Sequence, residues 1–150
     1  MVVSKLKTTL GIVRNYKNWH AALGDALGSG KAYEKRIYLM RNGLQFAART
    51  RNDLGIINTI FMGNETLDVI KSLGKAPVVI DLGAHIGAFS LYVANKIPGA
   101  QLYSYEPLPE SFELMKENVK LNKLENRVKA FAFAVSEKRV PCRPDSRSST

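Results

Sequence analysis

VVIDLGAHIGAFS, residues Val78 to Ser90, decides the fold of this chain. Val78, Val79 and Ile80 form a short β-branched run, bounded upstream by Gly74 and Pro77, as a buried parallel strand would be. Asp81 follows at the strand's carboxyl end, and Gly83 and Gly87 flank a tight turn. Ile86, Phe89, Val93 and Ile97 then recur at helical spacing, so a helix is predicted from about Ile86. The bend between strand and helix lies where open α/β sheets bind their ligands.

The residues of the bend limit what it can hold. Gly83 and Gly87 let the backbone turn sharply and let a ligand approach the main chain. The helix amino terminus adds a partial positive charge and N–H donors. Asp81 brings a carboxylate to the same place, which disfavours a phosphate and favours an amine or a hydroxyl. The spacing is Gly83-x-x-x-Gly87 and not G-x-G-x-x-G, so a cationic or zwitterionic nucleoside fits better than a dinucleotide. The plain alternative is a strand-to-helix turn whose glycines serve packing alone.

A second strand shifts the balance. Gln101 to Tyr105 alternates polar and apolar residues, and Glu106 stands at its end, 23 residues after Gly83. Nucleotide-binding α/β folds place an acid near this spacing, where its oxygens accept from both hydroxyls of a ribose. Pro107 and Pro109 stop the strand, and Pro109 suits the first turn of a helix. That helix, to about Lys123, carries the stripe Phe112, Met115 and Val119, with the pairs Glu113/Lys116 and Glu117/Lys120 on its wetter side. Asn118 and Asn122 read as polar surface positions. Val128 to Val135 is predicted as a third strand, giving three parallel strands in spatial order 3-2-1.

DLGAHIGAFS, YEPLPESFELMKENVKLN and VKAFAFAVSEK, taken in order, resemble the FkbM-type S-adenosylmethionine-dependent methyltransferases. The resemblance is close from Val78 to about Lys138 and looser back to about Arg36. It implies an α/β fold with a Rossmann-like class I methyltransferase sheet. It further implies that Asp81, Gly83, Ala84, His85 and Gly87 line S-adenosylmethionine and that Glu106 binds its ribose. Ala134 and Val135, at the end of the third strand, would lie near the adenine. O-methylation of a hydroxyl on a carbohydrate or secondary metabolite follows from the same resemblance, with a small-molecule or glycan acceptor as partner. No residue is assigned as catalytic base, and His85 reads as a cofactor contact or a packing residue.

Around this centre the chain divides into a basic helical lead-in (1–30), a hairpin with short helices (31–75), the cofactor-binding half of the domain (76–137) and a polar tail (138–150). In the lead-in, Leu6, Leu10 and Val13 share one helical face, as do Trp19, Ala22 and Leu23, and Gly24, Gly28, Ser29 and Gly30 mark a break. Asn42-Gly43, between IYLMR and LQFAAR, predicts a type I′ hairpin. Asp53 is read as the cap of a helix through Met62, and Asn64 as the cap of another closed by Gly74. Family members continue with further strands, so the sheet is expected to be incomplete, with an exposed apolar edge that favours self-association.

Hydrophobic residues make up 45% and charged residues 23% of the chain, the profile of a globular domain. The single Cys142 excludes an internal disulfide, and with His20 and His85 as the only histidines no dedicated metal site is expected. No apolar run reaches the roughly 20 residues of a membrane span, and a cytoplasmic location is expected. The net charge of +9 sits at the two ends, and residues 1–53 hold 10 Lys/Arg against 3 Asp/Glu. Such ends attract nucleic acid, an anionic lipid surface or an acidic glycan, or are solvated basic faces, and no motif singles out nucleic acid. Besides the methyltransferase, a non-catalytic binding or scaffold remnant of the same fold stays open, while the missing dinucleotide fingerprint disfavours an oxidoreductase.

Overall fold

Apolar spacing and turn chemistry translate into two packed units. The structure, a computed structural model, describes residues 2–28 and 35–135. The expected tail at 138–150 and the Ser29–Gly30 break lie outside the described residues. Helices α1 (Val2–Asn15) and α2 (Trp19–Leu27) lead into a hairpin of β1 (Arg36–Leu39) and β2 (Gln45–Ala48), then into α3 (Arg51–Met62) and α4 (Asn64–Ser72). The second unit alternates β3 (Val78–Leu82), α5 (Ala88–Lys96), β4 (Gln101–Tyr105), α6 (Pro109–Leu121) and β5 (Val128–Phe131).

The three later strands are parallel and ordered β3-β4-β5, as the crossover rule requires of strand–helix–strand units. This is the expected α/β, Rossmann-like arrangement. Leu102 and Ser104 of β4 point to the face covered by α5 and α6, where Leu91, Val93, Leu114, Met115 and Val119 are buried with them. On the opposite face Val78, Ile80 and Leu82 are 70%, 64% and 59% exposed, so no described element covers it. β3 is an edge of this sheet among the described residues.

Local rules account for several departures from the sequence reading. β5 ends at Phe131, so Ala134 and Val135 lie beyond the strand and are exposed. The hairpin turn is not type I′: Gly43 has φ +94, but among the described residues only His85 and Lys123 carry positive φ outside glycine, so Asn42 does not. Gly43 N–H bonds Met40 O and Met40 N–H bonds Leu44 O, a longer turn in which glycine alone takes the left-handed position. Asp53 is not the cap of α3. Thr50 is, and Asp53 completes a capping box by accepting from Thr50 N–H at 3.0 Å. On α6, Glu113 pairs with Lys116 at 2.8 Å as expected, whereas Glu117 is taken by Lys35 at 2.9 Å.

The hairpin joins the sheet unit through two amides. Asn118 Oδ1 accepts from Ala47 N–H at 2.7 Å, and Asn118 Nδ2 donates to Ala47 O and to Ile86 O. One turn further, Asn122 repeats the pattern on Gln45 N–H and O. Two side chains spaced i,i+4, one on α6 and one at its C-cap, thus act as a neighbouring strand for the free edge of β2. Neither is a passive surface residue.

Candidate functional site

The bend after β3 is held by two carboxylates. Asp81 Oδ2 accepts from Ser90 Oγ at 2.6 Å, and the Ser90 main chain hydrogen-bonds it as well. Because the Ser90 proton goes to Asp81, the 2.7 Å contact between Ser90 and Ser104 must use the Ser104 proton. Glu106, only 4% exposed, takes His85 N–H at 2.8 Å on one oxygen and Leu108 N–H at 2.9 Å on the other. Gly83 and Ala84 N–H both bond Tyr105 O. Strand ends and bend therefore form one hydrogen-bonded ledge carrying both acids.

The glycines divide the work. Gly83 has φ +76, and a methyl group built on it meets no atom within 4 Å, so open space lies above the main chain there. Gly87 has φ +81 and its built Cβ would sit 3.0 Å from Met115 Cγ, so it serves packing against α6. Helix α5 begins at Ala88 rather than at Ile86, because the left-handed Gly87 caps it. Gly87→Ala is expected to cost about 1–3 kcal/mol of stability through backbone strain and the Met115 contact. Gly83→Ala should cost about 1 kcal/mol, and urea titrations of both variants would check the ranking.

Burial raises the Asp81 pKa above its ordinary 3.8, with hydrogen bonds from Ser90 opposing and the nearby Glu106 charge adding to the rise. The unfolded state titrates near the ordinary value, so the stability associated with protonated Asp81 is full below it and is lost as pH climbs through the raised folded value. The free protein should therefore lose stability over that window, and Asp81→Asn should remove this part of the slope. Thermal unfolding followed from pH 3.8 upward measures it.

A third group joins the ledge from the amino-terminal unit. Asp53 Oδ1 lies 3.6 Å from His85 Nε2, while Arg49 reaches towards Asp53 at 4.0 Å and Glu110 at 3.7 Å. His85 Nδ1 and Arg49 Nε are both buried without a hydrogen-bond partner among the described residues. His85 adopts φ +52, a conformation that turns its main-chain N–H to Glu106. Nothing in the sequence around Arg49 and Asp53 links the hairpin end and the helix start to the bend, so neither residue is legible there as part of the site.

Asp81, Gly83, Ala84, His85, Gly87 and Glu106 are thus brought together, and Ala134 and Val135 are carried past the end of β5 without being buried. Fold and ledge define an α/β domain with two carboxylates and an open glycine bend at the carboxyl ends of its parallel strands, where such sheets bind their ligands.

Comparison with known proteins sharpens the class. Residues 53–145 match the TRM5/TYW2 methyltransferase domain, and the chain belongs to that family. S-adenosylmethionine, expected from the sequence, is the cofactor that goes with it. The chain is 37% identical over 67 residues to methyltransferase sdnD of Sordaria araneosa, covering 45% of this chain and 26% of that protein. It is 34% identical over 67 residues to tRNA (guanine(37)-N(1))-methyltransferase Trm5b of Methanocaldococcus jannaschii, covering 45% of this chain and 19% of that one. The structure of a complex of aTrm5 with tRNALeu superposes with a TM-score of 0.54 at 26% identity, covering 74% of this chain and 31% of that one. The chain spans about a quarter or less of the curated relatives it matches.

Two expectations are corrected by these findings. The family is TRM5/TYW2 and not FkbM: the stretch that carries the FkbM resemblance, 78–138, lies inside the residues 53–145 that match the TRM5/TYW2 domain, so its motifs do not single out FkbM. The small-molecule or glycan acceptor, expected where no motif singled out nucleic acid, is overturned by relatives that are tRNA methyltransferases and by a structural neighbour bound to tRNA. No helix among the described residues is long and apolar enough to cross a membrane.

Proposed function

We propose that this chain is the cofactor-binding part of a methyltransferase acting on tRNA, with a guanine base as acceptor. Supporting the cofactor assignment is one observation above others: Glu106 closes on the main chain of the bend at His85 while Asp81 stands beside it on the same ledge. On this reading Asp81 takes the α-amino group of S-adenosylmethionine, and Gly83, Ala84, His85 and Gly87 border its methionine part. Glu106 takes the ribose hydroxyls, and Ala134 and Val135 border the adenine. The bound sulfonium supplies an activated methyl group, and the protein's part is to bind, orient and exclude water. The acceptor assignment rests on the tRNA methyltransferases among the relatives.

Residues 1–30 serve on this reading as a basic helical lead-in, residues 31–75 as a cover and residues 76–137 as the cofactor-binding half, in the cytoplasm. Cofactor affinity should rise with pH as Asp81 ionises, because the ammonium group needs the carboxylate, whereas Asp81→Asn binding should be weaker and flat over the same window. Incubation with a tRNA transcript and methyl-labelled S-adenosylmethionine, followed by nucleoside analysis, tests the activity. Label in a methylguanosine is the expected result; bound cofactor with no labelled nucleoside would defeat the transferase reading. The uncovered face of β3 favours a second reading, a cofactor-binding piece without turnover, and that outcome would be its signature.

A further inference from the structure

A polar groove of about 380 Å³ runs between the hairpin tip and the loop from α6 to β5, away from the cofactor ledge. Asn42, Gln45, Asn95, Asn122, Lys123 and Arg127 line it, and none of its lining residues carries a carboxylate. Asn42 Nδ2 donates to Asn95 Oδ1 across it at 3.2 Å, and Arg127 Nη1 is anchored on the Ile97 and Pro98 carbonyls at 3.2 and 2.8 Å. Glu125 is near in sequence but does not line the groove.

Further cations adjoin one rim. Tyr16 bridges Met40, Lys17 N–H bonds Leu39 O at 2.7 Å and Arg41 N–H bonds Asn15 O at 2.8 Å, so the end of α1 runs along the hairpin. Arg41 precedes Asn42 with its Nε on the Val13 carbonyl at 3.4 Å, and Lys17 lies opposite Leu39; both are exposed. From Lys35 to Asn52 the chain has no acid, and Asp25 is buried against Tyr38 and Arg36.

The groove lies at the amino ends of β4 and β5, next to Pro98 and Arg127, whereas the cofactor ledge lies at their carboxyl ends. A five-residue strand separates them by about 16 Å. A ligand reaching both must be long. Cations suit phosphates, and the Asn42 and Asn95 amides, unlike that of Asn122, which is spent on Gln45, suit 2′-hydroxyls. We infer that the groove framed by Arg41, Asn42, Lys123 and Arg127 binds the sugar–phosphate backbone of the RNA whose base is presented at the cofactor ledge. The inference rests on the tRNA reading above and adds to it a second contact surface.

The test is fluorescence anisotropy of a labelled tRNA transcript with the 150-residue chain and with the triple variant Lys17→Gln/Arg41→Gln/Lys123→Asn, across a salt series. Asparagine at 123 tolerates the φ of +55 found there, so the charge is removed without adding strain. The triple variant should bind about 10-fold or more weakly, with a salt slope shallower by about 0.7–0.9 for each phosphate that is no longer neutralised. A Lys71→Gln control on α4 should bind as wild type does, and calorimetry with S-adenosylhomocysteine should give the same affinity for all three. Equal tRNA affinity of wild type and triple variant overturns the groove and leaves the tRNA reading standing. Wild type that binds S-adenosylhomocysteine but no tRNA overturns both. Loss of binding to anionic vesicles alone would make the groove a lipid site and overturn the inference. Should the triple variant lose its cofactor affinity, ultraviolet cross-linking of wild type to tRNA decides: cross-links in peptides bearing Arg41 or Lys123 support the groove, and their absence overturns it.

Discussion

Replacing Asn118 by leucine is expected to destabilise the chain by about 3–5 kcal/mol, a very large effect for one side chain. Asn118 is fully buried and satisfies three main-chain groups: Ala47 N–H, Ala47 O and Ile86 O. Leucine has the same branched shape with somewhat more bulk and answers none of them, and each buried group left unpaired costs about 1–3 kcal/mol. Some of that is recovered by the added apolar burial, so the sum falls below the maximum. Aspartate should fare no better, because its charge would face two carbonyls in a dry site. Asn122→Ala, at a half-buried position, should cost about 1 kcal/mol. Urea unfolding followed by circular dichroism measures all three, and Asn118→Leu no more costly than Asn122→Ala would mean that the hairpin does not dock through this amide.

Glu106→Gln is expected to weaken S-adenosylhomocysteine binding by about 10- to 100-fold. The carboxylate accepts from His85 N–H and Leu108 N–H and, on the proposed reading, from the ribose diol as well. An amide has one oxygen, and its NH2 group cannot accept from a main-chain N–H, so either the bend or the strand end loses its anchor. The ribose then meets both a weaker acceptor and a looser bend. Glu106→Asp should also bind weakly, since the shorter side chain cannot span His85 and Leu108 together. Isothermal titration calorimetry distinguishes this from simple unfolding if the variants keep their far-ultraviolet spectra. Wild-type affinity in Glu106→Gln would remove Glu106 from the site.

How much of this the sequence discloses depends on the range of the interaction. The β3–bend–α5 unit, β4 with Glu106 directly after it, and the parallel order are all visible in residues close along the chain, where apolar period, glycine spacing and proline placement act locally. Pairings across the chain are not. Asn118 and Asn122 look like solvated helix positions until the edge of β2, more than 70 residues away, presents its N–H and C=O groups to them. Asp53 reads as a helix cap and indeed takes part in one, but its second oxygen faces His85 only because α3 packs beside α5. Glu117 prefers Lys35 over its helical neighbour for the same reason. β5 stops short of its expected end because the apolar residues past Phe131 have no strand partner to hold them. The family is not legible in the bend, whose residues fall inside the TRM5/TYW2 match and still resemble another methyltransferase family. Neither is the acceptor, for which the residues between Val78 and Glu106 carry no recognition motif.

Everything proposed for the site requires that the bend after β3 and the acid after β4 grip the cofactor together. Amide chemical-shift mapping by NMR during titration with S-adenosylhomocysteine tests this directly. The predicted result is a set of perturbed resonances centred on Gly83, His85, Gly87, Glu106 and Leu108, absent in Glu106→Ala. Perturbations gathered instead around Asn42, Asn95 and Lys123, or saturable binding that leaves the bend unmoved, would contradict it.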